Sequence, residues 1–467
     1  MATDEDNAVP KWIEELKKSL DPSLISTERE ICEEFGTDRW HAMAKPDVVV
    51  QAETTEQVQA TMRFAFENEI PVTTRGAGVG YVGGCVPLQG GILLSVAKMN
   101  RILEINPRDG IAVIEPGVIL QDLVEATGAR GWYYPPDPAS LKECSVGGTI
   151  ATNAGGPRCL KYGVTRHYVL GLEVVLPNGE LLITGGRCHK NKTGLDLIGM
   201  FVGSEGLLGV IVKATLRIIP LPESRMMLTA TYPAFADAAK AVETILNSRW
   251  QPSALEITDG FTLQAARDYL GADTLPEGDA HLIVEIDGRK ASLISDLQEL
   301  HKLIDSTGAL SVEEARSDEE CEAVWKLRRE FSYSLRATGL IKLNEDIVVP
   351  RSRLVDLVNF ARKLQEDTGI AVACFGHAGD GNIHTNLMVA DYDTNRKNRE
   401  KADAALDVLF HWIIENEGQI TGEHGVGIAK KRWFKDAVSP ASFDLHRQLK
   451  MAIDPKGILN PGKFIEP

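Results

Sequence analysis

The stretch "TTRGAGVGYVGGCVP", residues 73–87, sets Gly76, Gly78, Gly80, Gly83 and Gly84 directly behind a short β-prone run. Without Cβ atoms, such a loop lets backbone N–H groups close around a diphosphate. It is not the Rossmann fingerprint, because G-x-G-x-x-G requires glycine where Tyr81 stands. Taken alone, the loop reads equally as a glycine-rich hairpin. Two further loops narrow the choice: "PPDPASLKECSVGGTIATNAGG" (135–156) and "FVGSEGLLGVI" (201–211). Three such loops in one β-rich unit suit a large dinucleotide in an extended groove, with Ser140, Thr149 and Asn153 available to hydrogen-bond a ring system. No residue of this set carries electrons itself, which implies a redox ligand.

The 467-residue chain is roughly three times the usual length for one core, so at least two cores are expected. Helical spacing marks 11–20 as a leading helix. Thr54 and Gln57 have capping-box spacing ahead of the apolar stripe Val58, Met62, Ala65 and Phe66. Strand-like runs continue to about residue 220, where "IIPLPES" marks a boundary. Beyond it, "AFADAAKAVETILNSRW", "HLIVEIDG", "SLISDLQELHKLIDSTG", "RLVDLVNFARKLQEDTG" and "IAVACFGH" alternate helix and strand, predicting an antiparallel sheet with helices on one face. The residues thus predict a leading helical segment followed by two units that meet near residue 220.

The net charge of −16 argues against nucleic acid or an anionic bilayer as the main partner. Seven scattered cysteines without C-x-x-C suggest reduced thiols and a cytoplasmic protein. The acidic amino terminus lacks the features of a signal or transit peptide, and no apolar run approaches the roughly 20 residues of a membrane span.

A second motif, "GHAGDGNIH" (376–384), places His377 and His384 around Gly379-Asp380-Gly381. On a straight strand the two histidines would face opposite ways, so the glycines must bend the chain for them to converge. Alone, the segment also reads as an Asx-turn. "ITGEHGVGIAKKRW" adds Glu423 and His424. Two imidazoles and a carboxylate leave open positions on a divalent ion, a catalytic arrangement, with His424 then free for proton transfer. The competing reading has Glu423 and His424 capping a helix that begins near Gly425.

The segments "RGAGVGYVGGCVP", "PPDPAS", "SVGGTIATNAGG", "KYG", "VGSEGLLG" and "DPKGILNPGK" together resemble the FAD-linked oxidase family with the vanillyl-alcohol oxidase type flavin domain. The resemblance is to the branch of D-lactate dehydrogenases, D-2-hydroxyglutarate dehydrogenases and the glycolate oxidase flavin subunit, and it covers roughly residues 40–465. It implies an α+β fold: a two-part FAD-binding domain plus a substrate (cap) domain with an antiparallel sheet. It implies that Arg75, Gly76, Ala77, Gly78, Val79 and Gly80, with Gly83 and Gly84, surround the pyrophosphate. Pro136, Asp137, Ser140, Gly147, Gly148, Thr149, Asn153 and Gly156 would line the flavin. Glu205, Gly206, Gly209, Val210 and Ile211 would hold the adenosine side, and Asn460 would return the tail.

Some relatives attach flavin through a histidine in the first loop, where this chain has Gly78-Val79-Gly80, so non-covalent FAD is expected. The resemblance makes His377, His384 and Glu423 ligands of a divalent metal (zinc, or manganese or iron) and His424 the base. It places Arg328 at a substrate carboxylate, with Asn382, Ser332 and Lys342 nearby. The implied reaction is oxidation of a D-2-hydroxy acid (lactate, glycolate or 2-hydroxyglutarate), and the "HTNL" ending leans towards lactate-type relatives. The acceptor would be a quinone, a cytochrome, an electron-transfer flavoprotein or oxygen. An iron–sulfur partner subunit in a glycolate-oxidising complex, peripheral attachment to the inner membrane through that partner, and a metallohydrolase stand as alternatives.

Overall fold

The chain is described by a computed structural model covering residues 10–40 and 42–466. The acidic opening, residues 1–9, lies outside the described residues. The leading helix runs Lys11–Ser19, and a second, Arg29–Phe35, follows. Between them Ile25–Ser26 pairs with Val49 and Val50, so the expected helical segment also supplies an edge strand.

The helix Thr55–Asn68 starts where its sequence says it should. Gln57 N–H donates to Thr54 Oγ1, and the Gln57 side chain accepts from the Thr54 backbone. Val58, Met62 and Ala65 face a buried cluster with Val48, Val50, Val72, Ile92 and Leu94. Those strand residues belong to a small sheet in which Val48–Gln51 and Val72–Arg75 flank Ile92–Ser95, both parallel to it. A five-stranded antiparallel sheet follows in the order 102–106, 111–114, 210–217, 169–175, 181–185. The glycine loops lie between and beside these sheets.

A seven-stranded antiparallel sheet makes the second core, in the order 311–315, 224–232, 280–288, 254–259, 371–377, 382–389, 341–348. Period-2 alternation sends Leu282, Val284, Leu255 and Ile257 to one face, where they pack with helices 235–246, 290–305, 354–368 and 396–415. Helices are not confined to that face, contrary to expectation. Gly260–Leu270 and Asp318–Ala337 cover part of the other, burying Ile283, Ala254 and Met227 against Trp325, and Phe375 and Met388 against Leu335. On this second face also lie the carboxylates of Glu256 and Glu285, each gripped by helix 318–337: Arg328 donates to Glu256 and Trp325 to Glu285. The tail returns to the first sheet, with Asn460 N–H on Val72 O and Lys463 Nζ on Val86 O.

Candidate active site

The two histidines converge through a hairpin. Ala371–His377 pairs with Asn382–Val389 so that His377 lies opposite Asn382 and His384 opposite Phe375. His377 and His384 are therefore diagonal neighbours on one face. The turn needs glycine at Gly381, with φ +84 and a Cβ that would collide with Val349 O. Glu423 arrives from the segment after helix 396–415, and donor atoms of His377, His384 and Glu423 all lie within 4.8 Å of one another.

Three observations fit this trio to a cation. His384 Nδ1 is buried without a hydrogen-bond partner among the described residues. His377 stands between two carboxylates, with Nδ1 2.5 Å from Glu256 Oε1 and Nε2 3.2 Å from Glu423 Oε1. Burial alone would drive the proton off His377, but Glu256 and Glu423 outweigh it and raise its pKa well above the ordinary value. The third is the donor set itself, imidazole and carboxylate, which suits zinc, manganese or iron.

Glu256 was not legible as a site residue. Its pKa falls to about 2 because His377 and Arg328 outweigh the effect of burial. Arg328 is nearly buried, donates from Nε and Nη2 to Glu256 Oε2, and stacks its guanidinium 4.7 Å from the Phe375 ring. Lys342 donates to Ser332 Oγ at 2.7 Å. Burial, then the charges of Arg336 and Arg328, lower its pKa to about 8. Arg328 thus shares Glu256 with His377.

The second missed residue is Asp346, fully buried on the edge strand. Its Oδ2 accepts from Thr421 Oγ1 and from the N–H groups of Gly422, Glu423 and His424 at 2.8–2.9 Å. No helix begins at Gly425; the next starts at Lys431. The carboxylate that satisfies this turn is Asp346, which overturns the capping alternative. Burial is the largest influence on the Asp346 pKa and pushes it up, but His424, Lys430 and His384 outweigh it and hold it well below the carboxylate range.

Asn382 donates both amide hydrogens, to Asp346 Oδ1 at 2.7 Å and Ile347 O at 2.9 Å. Its Oδ1 is buried and unpartnered. Flipping the amide would face oxygen with oxygen twice, so Asn382 offers the site an acceptor. The His424 ring lies between Tyr81 (5.3 Å) and His384 (5.7 Å), stacked on both. Burial lowers the His424 pKa, against the opposing pull of Asp346.

The glycine loops divide into two kinds. A Cβ on Gly147, Gly156 or Gly209 would meet Pro116, Asp137 O or Val174 at 2.5 Å, and one on Gly76 would strike Ser145, so tight packing favours glycine at these four, while at Gly78 it is the backbone, at φ +71, that does. A Cβ on Gly80, Gly84 or Gly206 meets nothing within 3.5 Å. The N–H groups of Gly78, Val79 and Gly80 have no acceptor among the described residues. An open, donor-lined backbone is what an approaching diphosphate requires. Ser145, missed in the sequence, ties the first loop to the helix Val146–Thr152 by accepting from Ala77 and Gly148 N–H. Arg75 folds beneath the loop, its guanidinium on Thr37 O and 3.3 Å from Cys85 Sγ.

Asp137 pairs with Arg158, which also forks onto Glu285 of the cap sheet at 2.7 and 2.8 Å, bridging the two cores. Ser140 O caps the turn to Cys144, Thr149 Oγ1 donates to Val146 O, and Asn153 adopts φ +53. Pro136 is buried, and Val210 and Ile211 begin the central strand of the five-stranded sheet. Asn460 Nδ2 bridges Gly84 O and Glu205 O. The Glu205 carboxylate points to the turn that carries His424, accepting from Val426 and Gly427 N–H at 2.8 Å. Burial raises its pKa to about 7 against the pull of those two donors.

The family model described as "FAD linked oxidases, C-terminal domain" matches residues 221–464, and "FAD binding domain" matches 46–185. The chain belongs to the FAD-linked oxidase family. It is an oxidoreductase with the vanillyl-alcohol oxidase type of fold, which sets aside the metallohydrolase alternative. It is 37% identical over 419 residues to "Glycolate oxidase subunit GlcD" of Bacillus subtilis (strain 168), covering 90% of this chain and 89% of that one. It is 33% identical to "D-lactate dehydrogenase" of Anaerostipes hadrus, with 97% of both chains covered. Among solved structures, p-cresol methylhydroxylase with substrate bound shares the fold at TM-score 0.81 and 19% identity, covering 98% of this chain and 96% of that one. Among the described residues, no helix is long and apolar enough to cross a membrane.

Proposed function

We propose that this chain oxidises a D-2-hydroxy acid to the 2-oxo acid with FAD. The observation that carries the reading is the convergence of His377, His384 and Glu423, with His424 stacked on His384. Relatives named for lactate and glycolate chemistry support it. The domain divisions 1–40, 41–220, 221–450 and 451–467 are part of the proposal, as is non-covalent FAD along the three loops.

FAD would supply the two-electron acceptor for hydride leaving the substrate carbon, and a divalent cation on His377, His384 and Glu423, zinc foremost, would supply Lewis acidity towards the hydroxyl. Arg328 binds the substrate carboxylate through donors it does not use on Glu256. Asn382, held by Asp346, contacts the substrate beside its hydroxyl, whose single proton is directed at His424. His424 takes that proton at the ring, and Tyr81 and His384 on its two faces restrict its rotation. Lys342, with Ser332, offers a second cation that favours a hydroxy acid carrying a further carboxylate. The protein is placed in the cytoplasm and passes electrons to a quinone, cytochrome, electron-transfer flavoprotein or oxygen. The relatives named as glycolate oxidase subunits favour a second arrangement, a multi-subunit complex; in it an iron–sulfur partner subunit, attached peripherally to the inner membrane, would receive the electrons.

An anaerobic absorbance titration with D- and L-2-hydroxy acids tests the reading. Bleaching of a flavin band by one D-acid is the expected result. A flavin band that no 2-hydroxy acid reduces would refute it.

A further inference from the structure

The turn carrying His424 is gripped from two sides. Asp346 holds it to the cap sheet. On the other side, Glu205 reaches out of the flavin-binding loop 201–211, and it is the only carboxylate that this loop contains. Its backbone is in the left-handed region at φ +50, a conformation seldom kept by a side-chain-bearing residue unless its surroundings enforce it. Those surroundings join three segments at one residue. Glu205 N–H donates to Ala151 O of the flavin-side helix, and Glu205 O accepts from Asn460 Nδ2 of the tail. The two carboxylate oxygens take the N–H groups of Val426 and Gly427. Gly425, at φ +88, leaves no room for more: a Cβ there would stand 2.7 Å from Glu205 Oε1.

We propose that Glu205 is a positioning residue that fixes the His424 turn to the flavin-binding loop, so that base and flavin share one frame across the two cores. This rests on His424 being the base. The side chain is fully engaged by the turn, so whatever residue 205 offers the cofactor comes from its main chain. The sequence motif assigns Glu205 to cofactor binding; the geometry assigns its carboxylate to catalysis at a distance, through His424.

The test is a double-mutant cycle read by anaerobic flavin bleaching with D-lactate, glycolate and D-2-hydroxyglutarate. Glu205→Gln keeps the shape but sets an amide donor against one of the two N–H groups. It should retain FAD and KM within two-fold of the parent, while the limiting bleaching rate falls about 10- to 100-fold, the cost of misplacing a reacting group. In a His424→Ala background the same change should have little further effect, because both act through one step. Gly425→Ala, whose Cβ would force the Glu205 carboxylate and the turn apart without changing residue 205, should reproduce the loss and decides the matter if Glu205→Gln does not fold.

A parental rate in FAD-loaded Glu205→Gln or in Gly425→Ala would overturn the proposal. So would a Glu205→Gln defect cured by saturating FAD, or an undiminished effect in the His424→Ala background. A His424→Ala protein as fast as the parent would instead remove the base assignment on which the proposal rests.

Discussion

Asp346→Asn is the sharpest perturbation of the site that touches none of its reacting atoms. Asp346 Oδ2 receives three backbone N–H groups and the Thr421 hydroxyl, and Oδ1 receives the Asn382 amide. In the asparagine variant one oxygen can still face the turn, but the new NH2 then confronts Asn382 Nδ2, donor against donor. Losing a hydrogen bond to a charged acceptor costs about 1.5–3 kcal/mol, and the four remaining bonds lose their charge assistance. A total of about 3–5 kcal/mol follows, non-additive because one atom serves all four. At roughly 2 °C per kcal/mol for a large domain, the apparent Tm should drop roughly 5–10 °C.

Because the turn positions Glu423 and His424, flavin bleaching by the active D-acid should slow about 100-fold with FAD retained. The assays are thermal denaturation and anaerobic stopped-flow absorbance. A variant with an unchanged Tm and bleaching rate would refute the reasoning. The sign of the pH effect is also fixed. The folded-state pKa of Asp346 is depressed, so its stabilisation is present above the ordinary value of 3.8 and disappears only as pH falls through the lower folded value. Activity lost between pH 5 and 7 must come from another group.

His384→Ala should retain FAD but bind little divalent metal by elemental analysis, since it removes one of three converging donors; an unchanged metal content contradicts the ligand set. Glu256→Gln should weaken metal binding about 10- to 100-fold in a chelator competition, because it releases His377 Nδ1. Lys342 titrates near 8, charged below and neutral above, so KM for a dicarboxylic 2-hydroxy acid should rise as pH passes 8. Lys342→Met should abolish that rise; an identical profile in the variant contradicts a Lys342 contact.

The sequence revealed the site's ligands better than its supports. Glycine loops, the Thr54 capping box and the paired histidines carry local signatures, because φ > 0, cap geometry and side-chain chemistry are properties of a few adjacent residues. Glu256, Glu285 and Asp346 carry none. Each is one of two acidic residues in its strand, indistinguishable in "ALEITD", "HLIVEIDG" and "IKLNEDIV" from a solvent-facing position. Their burial depends on helix 318–337 crossing the second face of the sheet and on the 421–427 turn reaching the edge strand, which are contacts between residues 40 to 78 positions apart. The same missing information led to the expectation of helices on one face only. Asn153 and Glu205 adopt left-handed backbone that sequence normally reports through glycine, so their special geometry was hidden as well.

The central claim is that His424 removes the substrate proton in a flavin oxidation. Single-turnover bleaching of FAD-loaded His424→Ala by a saturating D-2-hydroxy acid tests it most directly. The expected result is a full flavin spectrum with reduction slowed at least about 100-fold, within the range for loss of a general base. Reduction at the parental rate would contradict the account.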